Sequence, residues 1–234
     1  MKLIKQILIM NIIPYLLIVL STIISASVLS QEDTLTAKEF RALKREMAVT
    51  QIRELKEGVL LIQLKTSQNT IDAYIKKGNL KKANFIKARQ DQDNKSIIKG
   101  FRDYFNFCPV YFCYSTDRNN LKNKDYSKIT FLDDDLKPTV IPLNLTEVNY
   151  YISGIAKNNY NSTTLDNIPN FKTDYDNSIQ FDAFIINNKN FQQLSAPFPY
   201  YAKTHHAVKV NDKKRWESIK KLNYRLHTFH KNTL

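Results

Sequence analysis

Four histidines, two cysteines and one aspartate inside an apolar run are the residues whose types could carry chemistry in this sequence. All four histidines fall in the last thirty residues, at His205, His206, His227 and His230. His227 and His230 are three apart, a spacing that puts two imidazoles on one helix face, where His205 or His206 could complete a metal site. No acidic residue stands close in sequence to act as a third ligand or to orient the rings, and His230 lies near the chain end, where helices fray. Surface or stacking histidines are therefore expected, and no metal or cofactor is assigned. Cys108 and Cys113 are five apart. On a regular strand that offset places them on opposite faces and up to ~16 Å apart, whereas a disulfide needs Cα atoms within ~7 Å. Two buried free thiols follow. Asp182 lies within the apolar stretch from Gln180 to Asn187, and a solvated face is its expected place; a buried, shifted carboxylate there would be the catalytic alternative. Nothing local supports a nucleophile pairing of Cys113 with His205, and no residue is assigned as catalytic.

Binding chemistry has a clearer footprint. Pro197-Phe198-Pro199-Tyr200-Tyr201-Ala202-Lys203-Thr204-His205-His206 alternates aromatic with cationic or polarisable side chains on an extended, proline-bounded segment. Phe198, Tyr200, Tyr201, Lys203 and His205 are candidates for stacking on a sugar, a peptide or another protein. A second basic group, Lys213, Lys214, Lys220 and Lys221, lies on a C-terminal helix whose apolar face is Trp216, Ile219, Leu222, Leu226 and Phe229. Nucleotide-binding and serine-hydrolase loops are disfavoured, because the chain has only four glycines, Gly58, Gly78, Gly100 and Gly154, in 234 residues. They form no G-x-G-x-x-G, Walker A or G-x-S-x-G motif.

The elements that must position these residues come in three parts. Residues 1–30 have a basic head, Lys2 and Lys5, then a nearly unbroken aliphatic run from Ile7 to Val28. That pattern predicts a signal peptide cleaved after Ser30 or, with its longer than usual apolar run, an N-terminal anchor in the inner membrane. The charge asymmetry across the run places the remainder outside the cytoplasm. Residues 31–106 hold 16 basic and 10 acidic residues, residues 107–211 hold 10 of each, and residues 212–234 hold 7 and 2. Twenty of the 27 aromatic residues lie between Phe101 and Tyr201. Thus residues 31–106 read as a helical flank and residues 107–234 as an aromatic-rich α+β body with a basic C-terminal helix.

In the flank, Phe40, Leu43, Met47, Ala48, Ile52, Leu55, Val59 and Ile62 recur at spacings near three and four, which predicts one long helix stopped at Gly78-Asn79. A second helix over Leu80 to Phe105 would close a helical hairpin. The excess length of the first helix needs another cover, the body or a second copy of the chain in a homodimer. Strands are predicted at 109–114, 128–132, 147–153, 180–187 and 190–194, with turns at Asp133-Asp134-Asp135 and Asn187-Asn188-Lys189. The polar stretch 156–178 is expected to be a surface excursion or disordered. The fold class is α+β, an N-terminal helical hairpin on a small mixed or antiparallel sheet with a C-terminal helix. A thioredoxin-like α/β layout is the alternative, since a helix leads directly into the strand at Val110.

An export signal ending in Ser30-Gln31, a charged helical pair, Phe107-Cys108-Pro109-Val110-Tyr111-Phe112 and the late Pro197-Phe198-Pro199-Tyr200-Tyr201 resemble a group of uncharacterised exported bacterial proteins. The resemblance implies export to the periplasm or the outer cell surface and implies no activity. The net charge of +13 then points to an envelope protein or an anionic envelope polymer or headgroup as partner, not to nucleic acid. Membrane contact would run through residues 1–30 only if they stay uncleaved. The expected function is a non-enzymatic interaction or accessory module of the cell envelope. The rival class is a periplasmic hydrolase or metal-dependent enzyme using Asp182 or the C-terminal histidines.

Overall fold

A computed structural model describes residues 36–158, 181–204 and 212–233. Residues 1–30, the stretch 159–178, His205 and His206 lie outside the described residues, and with them the predicted signal, most of the predicted excursion and two of the four histidines. The chain divides into two compact units, residues 1–43 and 44–234. In the first, Thr36 caps the start of helix α1 (Ala37–Glu57). Its hydroxyl accepts from the Glu39 amide at 3.3 Å while the Glu39 carboxylate accepts from the Thr36 amide at 2.8 Å, a reciprocal capping box. The Thr36 hydroxyl, donating to the same carboxylate at 2.7 Å, and then the Thr36 amide hold the Glu39 carboxyl below its usual range.

The second unit is α+β. A seven-stranded mixed sheet has the order β4-β3-β2-β1-β5-β6-β7, and it closes with a C-terminal helix. The elements are β1 (Val59–Leu64), α2 (Gln68–Lys76), α3 (Leu80–Tyr104), β2 (Val110–Tyr114), α4 (Arg118–Lys122), β3 (Phe131–Leu132), β4 (Pro138–Thr139), β5 (Tyr150–Lys157), β6 (Asp182–Asn187), β7 (Tyr201–Lys203) and α5 (Asp212–Lys231). Strand β1 is the middle strand, parallel to β2 on one side and β5 on the other; every remaining pairing is antiparallel.

The single long first helix is the main correction. The helix ends at Glu57, and Val59-Leu60-Leu61-Ile62-Gln63-Leu64 is the central strand. A strand buried on both faces is a continuous apolar run, which satisfies helical spacing by accident. Gly58 makes the break: a Cβ there would lie 2.1 Å from the Asn149 carbonyl oxygen and 2.7 Å from that of Glu54, so only glycine lets the backbone pass. The expected hairpin over residues 31–106 is replaced by α1, a strand and the short pair α2–α3, which turns at Gly78 with φ +72° and restarts where the Asn79 side chain accepts from the Lys82 amide. Of the apolar stripe on α1, Ala48, Ile52 and Leu55 sit in this chain's own core, while Leu43 and Met47 stay exposed.

Alternation along the strands divides the core. Leu60, Ile62, Phe112, Tyr151 and Phe184 face α1, α3 and α5, meeting Ile52, Ile98, Phe101, Ile219 and Leu222. Val59, Leu61, Cys113, Phe131, Tyr150 and Ile152 face the other way, covered by Leu121, Ile129 and Leu145 of the segment between β2 and β5. Cys108 and Cys113 are free and buried, one in each core, and burial pushes both thiols up to about 12. The strand expected at 128–132 is shortened to Phe131–Leu132, and residues 190–194 form no strand, only a bridge of Gln193 to Asn187. The Asp133–Asp135 turn does join two short strands, β3 and β4.

Candidate functional site

The aromatic strip is broken up by the fold. Phe198 and Tyr200 are buried in the helix-side core, so they are structural and unavailable for stacking on a ligand. Both point inward because the segment feeding β7 runs under α5, where Phe198 meets the Phe229 ring with centroids 6.2 Å apart. Tyr201 is half-buried, its carbonyl accepting from Arg225 Nη1 at 3.0 Å, and Lys203 is exposed with Nζ 5.0 Å from the Phe181 ring centroid. His205 lies outside the described residues.

The basic helix gives a coherent surface. Helices α3 and α5 pack together on one side of the sheet, close enough at their crossing that a Cβ on Gly100 would stand 2.5 Å from Trp216 Cδ1. The two helices carry 14 Lys or Arg residues against 5 Asp or Glu. Lys213, Lys220 and Lys221 are exposed, and Lys214 is half-buried. Lys220 holds its ammonium 4.0 Å from the Tyr104 ring centroid, and Tyr104 in turn leans on Trp216 with centroids 5.9 Å apart. Beside them an open groove of about 530 Å³ is lined by Arg102, Tyr104, Asn106, Lys220, Tyr224 and His227. Tyr224 is 70% exposed. At its floor, Asn106 Oδ1 accepts from Asn223 Nδ2 at 3.0 Å and from His227 Nε2 at 2.9 Å, which puts the His227 proton on Nε2. Burial, then Lys56 and then His230 hold His227 below the usual histidine range.

Arg215 is the anchor that the sequence reading passed over. It is 6% exposed and reaches Asp93 Oδ1 at 2.9 Å and Asp212 Oδ1 at 3.2 Å, while Ser96 Oγ donates to the same Asp212 oxygen. A signal was present: Arg215, Ile219, Leu222 and Leu226 follow the four-three-four spacing of the buried stripe. The guanidinium is the buried partner and both carboxylates reach solvent, so it is the loss of Asp93 or Asp212 that would leave a buried charge poorly compensated, and this network ties α5 to α3.

Among the described residues named for the enzyme alternative, Asp182 is not brought together with His227 and His230. Asp182 pairs with Lys157 at the C-terminal end of β5, whereas His227 and His230 meet the Phe107 ring, with centroids 5.1 and 5.8 Å away, just before β2 begins. Among the described residues no three His, Cys, Asp or Glu side chains gather as a metal site, and no helix is long and apolar enough to cross a membrane. No family model, curated protein or solved structure matches this chain. The class is therefore defined by the structure itself: an α+β unit with a cationic two-helix face.

Proposed function

We propose that this protein is an exported, non-enzymatic binding module of the cell envelope whose α3–α5 face docks on an anionic envelope surface. One observation carries the reading, the excess of 14 cationic over 5 acidic residues on two packed helices. Such a face attracts anions by about 1 kcal/mol per lysine near an anionic surface, within a Debye length of about 8 Å at physiological salt. The basic head and aliphatic run of residues 1–30, and the resemblance to exported bacterial proteins, support the location.

The test is a variant with Lys213, Lys214, Lys220 and Lys221 all changed to Gln, sedimented with anionic vesicles or with cell-wall sacculi at low and high salt. Wild type is expected to co-sediment at low salt and to be released by high salt, and the variant to stay in the supernatant while melting normally. Sedimentation that is unchanged by the substitutions and by salt would remove the docking role.

A further inference from the structure

A second concavity, apart from the cationic face, lies where the parallel strands begin. A cleft of about 470 Å³ opens at the N-terminal ends of β1 and β5. That volume suits a small organic ligand. Its floor is pinned, because the Asn149 carbonyl accepts from the Val59 amide at 3.0 Å directly against Gly58.

The lining is polarised across the sheet. Glu54, in the last turn of α1, lies on the helix side, and its Oε2 accepts from Tyr151 Oη at 2.7 Å. Burial and this bond to Glu54 push the Tyr151 phenol up, so it stays protonated and serves Glu54 as a fixed donor. The second carboxylate oxygen is left to accept from elsewhere. On the other side of the sheet, Tyr126 and Tyr150 share a hydroxyl contact of 3.2 Å. Two phenols hold two hydroxyl protons and their mutual bond uses one, leaving a donor for a ligand. Lys124, in a left-handed conformation with φ +58°, and Lys189, at the turn after β6, stand exposed at the rim. Glu147 also lines the cleft, but its Oε1 accepts from the Asn144 side-chain amide at 2.7 Å.

A carboxylate on the helix side, a spare phenolic donor on the other side and two exposed ammonium groups at the rim complement a ligand that carries both charges. We propose that this cleft binds a short peptide with free termini, the ammonium toward Glu54 and the carboxylate toward Lys124 and Lys189. A neutral saccharide would use the phenols and amides but would leave both charges unanswered.

The experiment is calorimetric titration of the full-length chain with Ala-Ala-Ala, its N-acetylated form, its C-amidated form and a neutral disaccharide. Free tripeptide is expected to bind saturably. Acetylation should weaken it by at least about tenfold, the loss of one charge-assisted hydrogen bond, and amidation by less, because the lysines are solvated. Glu54→Gln should weaken the free peptide and leave the acetylated peptide unchanged. Equal affinity for free and blocked peptides, absence of saturable peptide binding, or preference for the disaccharide would overturn the proposal. The comparison of free with blocked ligands on the unmodified chain decides the matter even if Glu54→Gln fails to fold. It is also independent of the lysines of the α3–α5 face.

Discussion

The two faces of the central sheet are stabilised in different ways. On the helical face, the polar links span large sequence distances: Arg215 to Asp93, Trp216 Nε1 to the Ser96 carbonyl at 3.0 Å, Arg53 to the Thr233 carbonyl at 3.3 Å. On the other face, apart from the Tyr126–Tyr150 hydroxyl contact and the Thr130 amide bond to Asp117, the polar links are mostly local. Asp133 Oδ1 accepts from the amides of Asp135 and Lys137, Asn144 Oδ1 from the Thr146 amide, and Asp125 Oδ1 from Ser127 Oγ. Regular helices bring distant side chains into register, whereas a segment of short elements must satisfy its backbone within a few residues. The charge follows the same division. The segment from Asp117 to Glu147 carries five cations and six acids, so the positive field belongs to the helices.

Substitution in the two cores gives the largest test of that difference. Phe101 is 1% exposed and meets the rings of Phe105, Phe112 and Phe184, so Phe101→Ala should cost ~3–5 kcal/mol by chemical denaturation. Leu121→Ala, on the other face, should fall toward the lower end of ~2–5 kcal/mol, because the short elements there can collapse into the space. Equal costs would mean that the two cores are equally rigid.

Asp133→Ala removes an acceptor that two backbone amides share at 2.9 and 2.8 Å, and should cost ~0.5–1.5 kcal/mol, with the effect confined to the β3–β4 turn in hydrogen exchange. Protection lost across α3 as well would show that the two faces open together.

Mild acid should act on the helical face through His227. His227 has its folded pKa depressed, so the neutral ring is favoured in the native state. The stabilisation is present above the unfolded value near 6.5 and is lost as pH falls through the folded value. Stability measured between pH 8 and pH 5 should therefore decline below about 6.5, and His227→Gln should flatten that decline. A variant with an unaltered slope would assign the pH dependence to other groups.

The smallest effect is expected where the faces are tied together. Arg102 Nε to Asp134 at 2.9 Å and Lys95 Nζ to Asp135 at 3.1 Å link α3 to the β3–β4 turn, yet all four side chains are well exposed. Asp134→Asn and Asp135→Asn should each change stability by ~0–1 kcal/mol, less at high salt. A larger loss would make this clasp a structural joint.

Several parts of this arrangement are legible in the sequence because they depend on near neighbours. The start of α5 at Asp212, the span of α3, the Gly78-Asn79 stop and the Asp133–Asp135 turn follow from caps, period and turn chemistry. Strand β1 does not, since Val59 to Leu64 reads equally as a helical face until both of its flanks are known to be covered. The binding strip fails for the same reason. Phe198 and Tyr200 have the composition of a recognition surface, and only the passage of α5 over them makes them core. Glu54 and Tyr151 lie 97 residues apart, and no spacing rule joins them.

What the sequence by itself determined is therefore local: the spans of α3 and α5, the stop at Gly78-Asn79, the β3–β4 turn, and the concentration of positive charge in the flanks. Tertiary structure decided the rest. It made β1 the centre of the sheet, packed α3 against α5, and gathered Glu54, Tyr126, Tyr150 and Tyr151 around a cleft. Caps and periods act over a few residues. Burial on two faces, and contact between elements far apart in the chain, are properties of the packed sheet, and a sequence read residue by residue does not contain them.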